Sequence, residues 1–419
     1  MGRAASLPLR YAEGSWLTAR LMAVASGTAL AISALAAGAG ILGAKGVLDP
    51  LGRPLGTDFA SFWSAGWLAV QGRAAEAYDW TALRDIQLNL LGTELFFPWN
   101  YPPLFLLLAA ALARFDYLPA LFLWQGASLF LAFLAYRRVL STRLAALVAL
   151  GCPAVFLCLA HGQTGLLTAA LLLGGVLALP RREILAGVLF GALAFKPQLG
   201  LLIPVFLAVG GYWRAFAAAA ATLVALVALS IGVFGAGTWA AFVRSLGTTQ
   251  AIVLANGGAG FEKFQSVFAW ARLWGSATFP AYALQGVYSA LVTAFCVALW
   301  RSPVDMRLKG AGLLLGTLLV TPYVLDYDMV VLGAAMALIV SYGQEHGFRP
   351  WLKTTLAVAW LLPGAARSIN LLIPLPVTPL LLTALLMLVL REARGARGRM
   401  PIVALEPNPR GALPGRSSA

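Results

Sequence analysis

The sequence is poor in charge, histidine and cysteine. Only 11% of its 419 residues are charged and 60% are hydrophobic, which is not the composition of a soluble domain. Two histidines argue against a multi-histidine metal centre. The three cysteines, Cys152, Cys158 and Cys296, lie inside apolar runs, which predicts buried free thiols and not a disulfide framework. A Gly-rich phosphate loop, a Ser-His-Asp order and a nucleic-acid motif are also lacking.

Apolar runs recur from Leu17 to Leu390. They are continuous, rich in Leu and Ala, and not alternating, so helices are favoured over the strands of a barrel. The 43 glycines suit close helix contacts in a bilayer. We therefore predict an all-α polytopic membrane protein with about 10–12 transmembrane helices. The predicted segments are Leu17–Leu42, Leu118–Tyr136, Leu144–Leu159, Thr164–Leu179, Ile184–Phe195, Leu199–Val209, Ala215–Phe234, Ala281–Trp300, Ala311–Thr321, Met329–Ser341, Trp351–Leu362 and Leu371–Leu390.

The distribution of basic residues predicts the orientation. With the N-terminus inside, the inner connections hold 20 of the 30 basic residues and have a net charge of +14, whereas the outer connections are neutral. The positive-inside rule then places both termini in the cytoplasm, and it explains the charge without a nucleic-acid partner. The first run is longer than a signal-peptide core, so we expect an uncleaved anchor. The composition divides the chain into a membrane domain, 1–391, and a basic, disordered cytoplasmic tail, 392–419.

A polar segment, residues 43–101, follows the first span and lies outside in this orientation. It contains two amphipathic stretches, one with Trp63 and Trp67 and one with Leu83 and Leu90. Such stretches either lie in the membrane interface or pack onto the helix bundle.

Asp58 is the most informative polar residue of this segment. A carboxylate at a membrane surface is energetically costly and is therefore a functional candidate. As a general base it would take the proton of an attacking hydroxyl. Alternatively, it caps the helix that begins at Phe59, because Asp is a favoured N-cap residue.

Tyr101-Pro102-Pro103 closes the polar segment and precedes a half-length apolar run, Leu104–Ala113. The prolines fix an extended start and then permit a helix. The run is either a re-entrant half-helix that lines a cavity or a plain junction between loop and helix.

Further polar residues interrupt the apolar runs. His161 and Gln163 lie between two helices, where they are either structural or bind sugar hydroxyls or a phosphate. Lys196 requires an anion or water nearby, so it either binds a phosphate or reaches to the interface. One outer loop holds two tyrosines and two carboxylates: Tyr323, Asp326, Tyr327 and Asp328. These carboxylates orient an acceptor or pair with Lys196, Arg272 or Arg367.

Seven motifs occur in a specific order: Thr57-Asp58-Phe59, Gly72…Tyr78, Tyr101-Pro102-Pro103, Gly162-Gln163, Leu185-Ala186-Gly187…Phe195-Lys196-Pro197, Gln265-Ser266 and Pro322…Tyr327. In this combination, over residues 17–390, the chain resembles glycosyltransferase family 87. This family resembles the GT-C membrane glycosyltransferases, which include polyprenyl-phosphate-mannose-dependent α-mannosyltransferases.

The resemblance implies a GT-C-like bundle in the plasma membrane with its active site on the periplasmic or extracellular face. It implies transfer of a hexose, with mannose the leading candidate, from a polyprenyl-phosphate-sugar donor to a lipid or glycan acceptor, with Asp58 as base. Because a single base suits an inverting displacement, we expect inversion. Contacts to the donor phosphate are assigned to Lys196, His161, Gln163 and Arg367. Contacts to the acceptor or sugar are assigned to Tyr101, Gln265, Tyr323, Asp326, Tyr327 and Asp328.

No cofactor is expected. A divalent metal is not favoured, because Asp326-x-Asp328 comes late in the chain and no such pair lies near Asp58. Two other functions stay open from the residues alone. One is a secondary transporter of a small or anionic solute, and the other is a non-catalytic scaffold.

Overall fold

The fold is all-α. The structure is a computed structural model that describes residues 7–140, 142–373 and 375–397. Within these ranges there are helices and three isolated β-bridges but no strand, which confirms the predicted fold class. The helices are α1 (Leu7–Glu13), α2 (Ala19–Leu42), α3 (Phe59–Val70), α4 (Trp80–Leu91), α5 (Pro103–Leu112), α6 (Tyr117–Arg137), α7 (Arg143–Leu150), α8 (Pro153–Ala160), α9 (Gly165–Ala178), α10 (Glu183–Ala192), α11 (Leu202–Val209), α12 (Trp213–Phe234), α13 (Ala236–Thr249), α14 (Val267–Leu273), α15 (Thr278–Trp300), α16 (Met306–Leu319), α17 (Val330–His346), α18 (Leu352–Leu372) and α19 (Val377–Arg397).

Six helical segments in the described ranges are long and apolar enough to cross a bilayer: α2, α6, α12, α15, α18 and the continuous segment Asp326–His346. The bent pair of α7 and α8 passes the same test when its two helices are taken together, and it is either a broken span or a re-entrant loop. The 10–12 spans expected from hydropathy exceed this number because they also include three shorter apolar segments, Gly165–Ala178, Glu183–Phe195 and Pro197–Val209, together with α16 and α19. These spans identify a membrane-embedded protein.

One predicted segment is divided into two helices in the structure, and a proline explains the division. The run Leu144–Leu159 is two helices, α7 and α8, that meet at an angle of 49°. Pro153 lies in the first turn of α8, where its missing N–H costs nothing, but it would disrupt a continuous helix.

A second proline, nearer the C-terminus, does not divide its helix. Pro363 lies inside α18, which continues to Leu372, so the predicted break after Leu362 is wrong. Such a proline is tolerated in a membrane helix when neighbouring groups satisfy the freed backbone carbonyl. The last helix, α19, begins at Val377 and extends to Arg397, six residues past the predicted domain boundary at 391. Residues 398–419 lie outside the described part, and the disordered tail stays a prediction there.

The interior of the bundle is formed by α16 and by the segment Asp326–His346, most of whose residues are buried. In contrast, α2 buries only Ser26, and α12 only Ala215 and Ser230. Helices that are apolar all round and yet unburied within the protein present their surfaces to lipid. The three cysteines are buried and free, as predicted.

The polar segment, residues 43–101, is folded onto the bundle. Helix α3 contacts the backbone of α5 so closely that a Cβ at Gly66 would lie 2.1 Å from the Ala109 carbonyl oxygen. Trp63 Nε1 donates to the carbonyl of Phe115 at 3.0 Å. In α4, Leu83 is buried but Leu90 is exposed. The segment therefore packs on the bundle, and its packing places Asp58 next to the loop between α8 and α9.

Candidate active site

Asp58 lies at the start of α3, yet its side chain does not cap that helix. The carboxylate is turned to the α8–α9 loop, where Oδ2 accepts a hydrogen bond of 2.7 Å from Gln163 Nε2. The other oxygen, Oδ1, has no hydrogen-bond partner among the described residues. The structure therefore does not support the N-cap interpretation. One carboxylate oxygen is held, and the other is available to an incoming proton.

Gln163 is itself fixed by Tyr101. The Tyr101 hydroxyl donates to Gln163 Oε1 at 2.8 Å, and the amide of Gln163 donates to Asp58. This direction is required, because an ionised carboxylate only accepts hydrogen bonds. Burial raises the pKa of Tyr101 well above its usual range, so its hydroxyl keeps the proton that it donates. Tyr101, Gln163 and Asp58 thus form one directed chain of hydrogen bonds.

The α8–α9 loop that carries Gln163 depends on glycine. Gly162 has a φ of +61°, and a Cβ there would lie 2.7 Å from Phe59 Cβ and 2.9 Å from the Gly56 carbonyl oxygen. Any other residue would combine an unfavourable backbone conformation with a steric clash. The carbonyl of Gly162 accepts a hydrogen bond of 2.8 Å from Trp124 Nε1. The loop can therefore approach Asp58 closely and is held there from α6.

His161 lies on the same side of the site. Its Nδ1 is 2.8 Å from Oγ1 of Thr57, and Thr57 directly precedes Asp58 in the chain. Its ring is 5.9 Å, between centroids, from the ring of Tyr327. His161 thus connects the Asp58 segment to the loop that holds Tyr327 and Asp328.

Lys196 and Asp328 form a buried ion pair. Lys196 lies between two 3₁₀ turns, Leu193–Phe195 and Pro197–Leu199, at the break in the apolar run. Its Nζ is 2.6 Å from Asp328 Oδ1, and the two side chains are 4% and 0% exposed. The sequence requirement for a nearby anion is met by Asp328, so Lys196 is not an isolated cation. An ammonium has three donors, and Asp328 takes one of them among the described residues.

The other two cations, Arg272 and Arg367, form no ion pair with Asp326 or Asp328 among the described residues. Arg272 Nη2 donates to the Ala255 carbonyl at 2.8 Å. Arg367 Nη2 is 3.9 Å from Glu262 Oε1, and the Arg367 side chain is 45% exposed. Arg367 lies within electrostatic reach of Asp326, so its guanidinium is at the margin of the site.

The remaining predicted residues differ in their surroundings. Asp326 is buried, and its Oδ1 accepts from the backbone N–H of Tyr327 at 2.8 Å. The ring of Tyr323 packs edge-on against Phe264. Gln265 is buried, with its amide between Thr378 Oγ1 (2.6 Å) and the Lys263 carbonyl (3.1 Å). Both ends of the Gln265 amide are thus satisfied within the protein, and no contact joins it to Asp58.

Thr57 and Trp124 support the site but were not among the predicted site residues. Gln125, the neighbour of Trp124, is a polar position inside an apolar run, and its Nε2 donates to the Leu159 carbonyl at 2.6 Å. That interruption was a visible signal in the sequence. Among the described residues there is no cluster of three or more His, Cys, Asp and Glu side chains that could hold a metal ion.

The comparison with protein families decides the class. The model of glycosyltransferase family 87 matches residues 99–322, which is more than half of the chain. The chain belongs to glycosyltransferase family 87. No curated protein and no solved structure matches it significantly.

Membership of glycosyltransferase family 87 makes the protein a membrane glycosyltransferase and answers the choice between enzyme, transporter and scaffold. The matched region contains Tyr101, His161, Gln163, Lys196 and Gln265. The other assigned residues, Asp58, Tyr323, Asp326, Tyr327, Asp328 and Arg367, lie outside it. The contacts described above join the two sets, because Gln163 contacts Asp58 and Lys196 contacts Asp328.

Proposed function

We propose that this family 87 enzyme transfers a hexose, with mannose the leading candidate, from a polyprenyl-phosphate sugar to a lipid or glycan acceptor. The reaction takes place on the periplasmic or extracellular face of the plasma membrane, with inversion at the anomeric carbon. The observation that carries the proposal is the Asp58 carboxylate, which leaves its own helix uncapped and is held through Gln163 and Tyr101.

Asp58 acts as the general base. The acceptor hydroxyl gives its proton to Asp58 Oδ1, and the acceptor oxygen forms a bond to the anomeric carbon. The bond from that carbon to the phosphate oxygen breaks on the opposite face, and its electron pair stays on the phosphate. One base suffices for such a displacement, because a phosphate is already a good leaving group.

The departing phosphate requires positive groups that do not need to reorganise during the reaction. Lys196 supplies the remaining N–H donors of its ammonium, and its salt bridge with Asp328 fixes the position of Nζ. The exposed guanidinium of Arg367 adds a second cation at the margin of the site. His161, which contacts Thr57 and Tyr327, is assigned as a further contact to the donor phosphate.

The charge distribution of the sequence supports the outer location. The basic excess of +14 lies on the connections opposite to those that carry Asp58 and Lys196. A polyprenyl-phosphate carrier suits this location, because the lipid keeps the activated sugar at the membrane.

The test is transfer by the purified enzyme with a panel of radiolabelled polyprenyl-phosphate sugars and, in parallel, the matching nucleotide sugars. We expect incorporation from a polyprenyl-phosphate hexose, and about 10²–10⁴-fold slower incorporation with the Asp58→Asn variant. Transfer from the nucleotide sugar alone would contradict the proposed donor. Equal transfer by the Asp58→Asn variant would contradict the proposed base.

A further inference from the structure

A large apolar cavity lies at the end of the bundle opposite the candidate active site. Its volume is about 460 Å³, and its walls come from α2, α7, α17 and α18. Helix α8 connects the cavity to the candidate active site. Cys152, at the start of α8, lines the cavity, and His161, at the end of α8, belongs to the site. In α18, Lys353 lines the cavity, whereas Arg367 lies at the margin of the site. The cavity is therefore in the membrane leaflet opposite the active site.

The cavity has an apolar interior and a polar end. Thr142, Gln344 and Lys353 line it where α7 begins, α17 ends and α18 begins. Its volume is in the range of ligand pockets. Because it lies within the bilayer, hydrocarbon is the material available to fill it.

Lys353 gives the polar end a positive charge. Its Nζ lies over the ring of Phe348 at 5.0 Å from the centroid, which holds the ammonium at the rim. In the described part of the chain, no carboxylate forms an ion pair with it. Beside it, Trp16 also lines the cavity, and its Nε1 donates to Thr354 Oγ1 at 2.9 Å. A tryptophan and an unpaired lysine at one level are typical of the headgroup depth of a membrane.

We propose that the cavity binds an anionic phospholipid from the leaflet opposite the active site. One acyl chain lies between α7 and α18, and the phosphate of the headgroup contacts Lys353. The charge of the rim selects an anionic headgroup over a zwitterionic one, and the apolar walls accept its chain. This site is independent of the proposed catalytic function, and its test requires no turnover.

The test is native mass spectrometry of the full-length protein released from nanodiscs. The nanodiscs contain phosphatidylcholine and phosphatidylglycerol with identical acyl chains. We expect the wild type to retain phosphatidylglycerol preferentially. Lys353→Gln should lower that preference about fivefold, the effect of one cation near a membrane surface. The matched control is Arg301→Gln, an exposed charge after α15 that does not line the cavity, and it should retain the wild-type preference.

A second variant tests the cavity itself. Ala145→Phe combined with Ala357→Phe fills it from α7 and from α18 and should abolish retention of both lipids. Three results would overturn the proposal: an unchanged preference in Lys353→Gln, an unchanged lipid count in the filled variant, or displacement of phosphatidylglycerol by added polyprenyl phosphate. The last result would assign the cavity to the hydrocarbon chain of the donor. If the filled variant does not fold, the proposal is still tested by comparing the phosphatidylglycerol preference of Lys353→Gln with that of Arg301→Gln.

Discussion

The buried ion pair of Lys196 and Asp328 allows a structural role to be separated from a catalytic one. Lys196→Met keeps the length of the side chain and removes its charge. It leaves Asp328, which is 0% exposed, without its countercharge. We therefore expect Lys196→Met to lose stability as well as donor use.

The magnitude follows from the geometry. At the 2.6 Å between Nζ and Oδ1, the attraction is about 6 kcal/mol for an effective dielectric constant of 20. Desolvation of both charges offsets much of this attraction, so the net value of the pair is small. Removal of one partner alone is different, because it strands a buried charge and typically costs about 3–5 kcal/mol.

The double variant Lys196→Met/Asp328→Asn removes both charges. It should recover most of the stability lost in Lys196→Met, measured as the thermal unfolding temperature in detergent. Its initial rates, with donor and acceptor concentrations varied separately, report on catalysis. If Lys196 binds the donor phosphate, donor use stays impaired in the stable double variant, by a few kcal/mol of transition-state stabilisation.

Two results would refute this reasoning. Wild-type stability of Lys196→Met would show that Asp328 is not a stranded charge. Recovery of both stability and donor use in the double variant would make Lys196 purely structural. The matched control is Arg73→Met, which breaks the exposed pair with Glu76 and should change neither property.

Three further predictions follow from the site and the topology. Asp58→Asn should keep the wild-type unfolding temperature and lower turnover about 10²–10⁴-fold, and near-normal turnover would exclude the base role. Gln163→Leu removes a charge-assisted hydrogen bond to Asp58 of about 1.5–3 kcal/mol, so kcat should fall about 10–150-fold. Gln87→Leu, which changes another buried glutamine, should lower only stability. In intact cells, a cysteine introduced at Gln71 should react with an impermeant reagent and one at Ser417 should not; labelling at Ser417 would overturn the orientation.

Hydropathy is sufficient to predict the helical class, because a bilayer admits few other folds for such apolar runs. It does not predict what each proline does. Pro153 separates α7 from α8, whereas Pro363 remains within α18. Both prolines lie in apolar runs, so the local sequence does not distinguish the two outcomes.

The candidate site shows the same limit. Asp58 is conspicuous in the sequence because a carboxylate is rare in such a chain. Its partner Gln163 is 105 residues away, and no local pattern indicates that contact. The sequence predicts that Lys196 requires a nearby anion. Which carboxylate pairs with it, here Asp328, depends on how the bundle packs. Local chemistry therefore identifies the groups, and tertiary packing determines their partners.

The same ion pair also constrains how the protein is made. Asp328 is synthesised 132 residues after Lys196, a delay of roughly 7–26 s at ordinary rates of translation. During that interval the lysine has entered the membrane without its countercharge. A chain truncated before Asp328 would therefore contain Lys196 without the countercharge that it has in the folded protein.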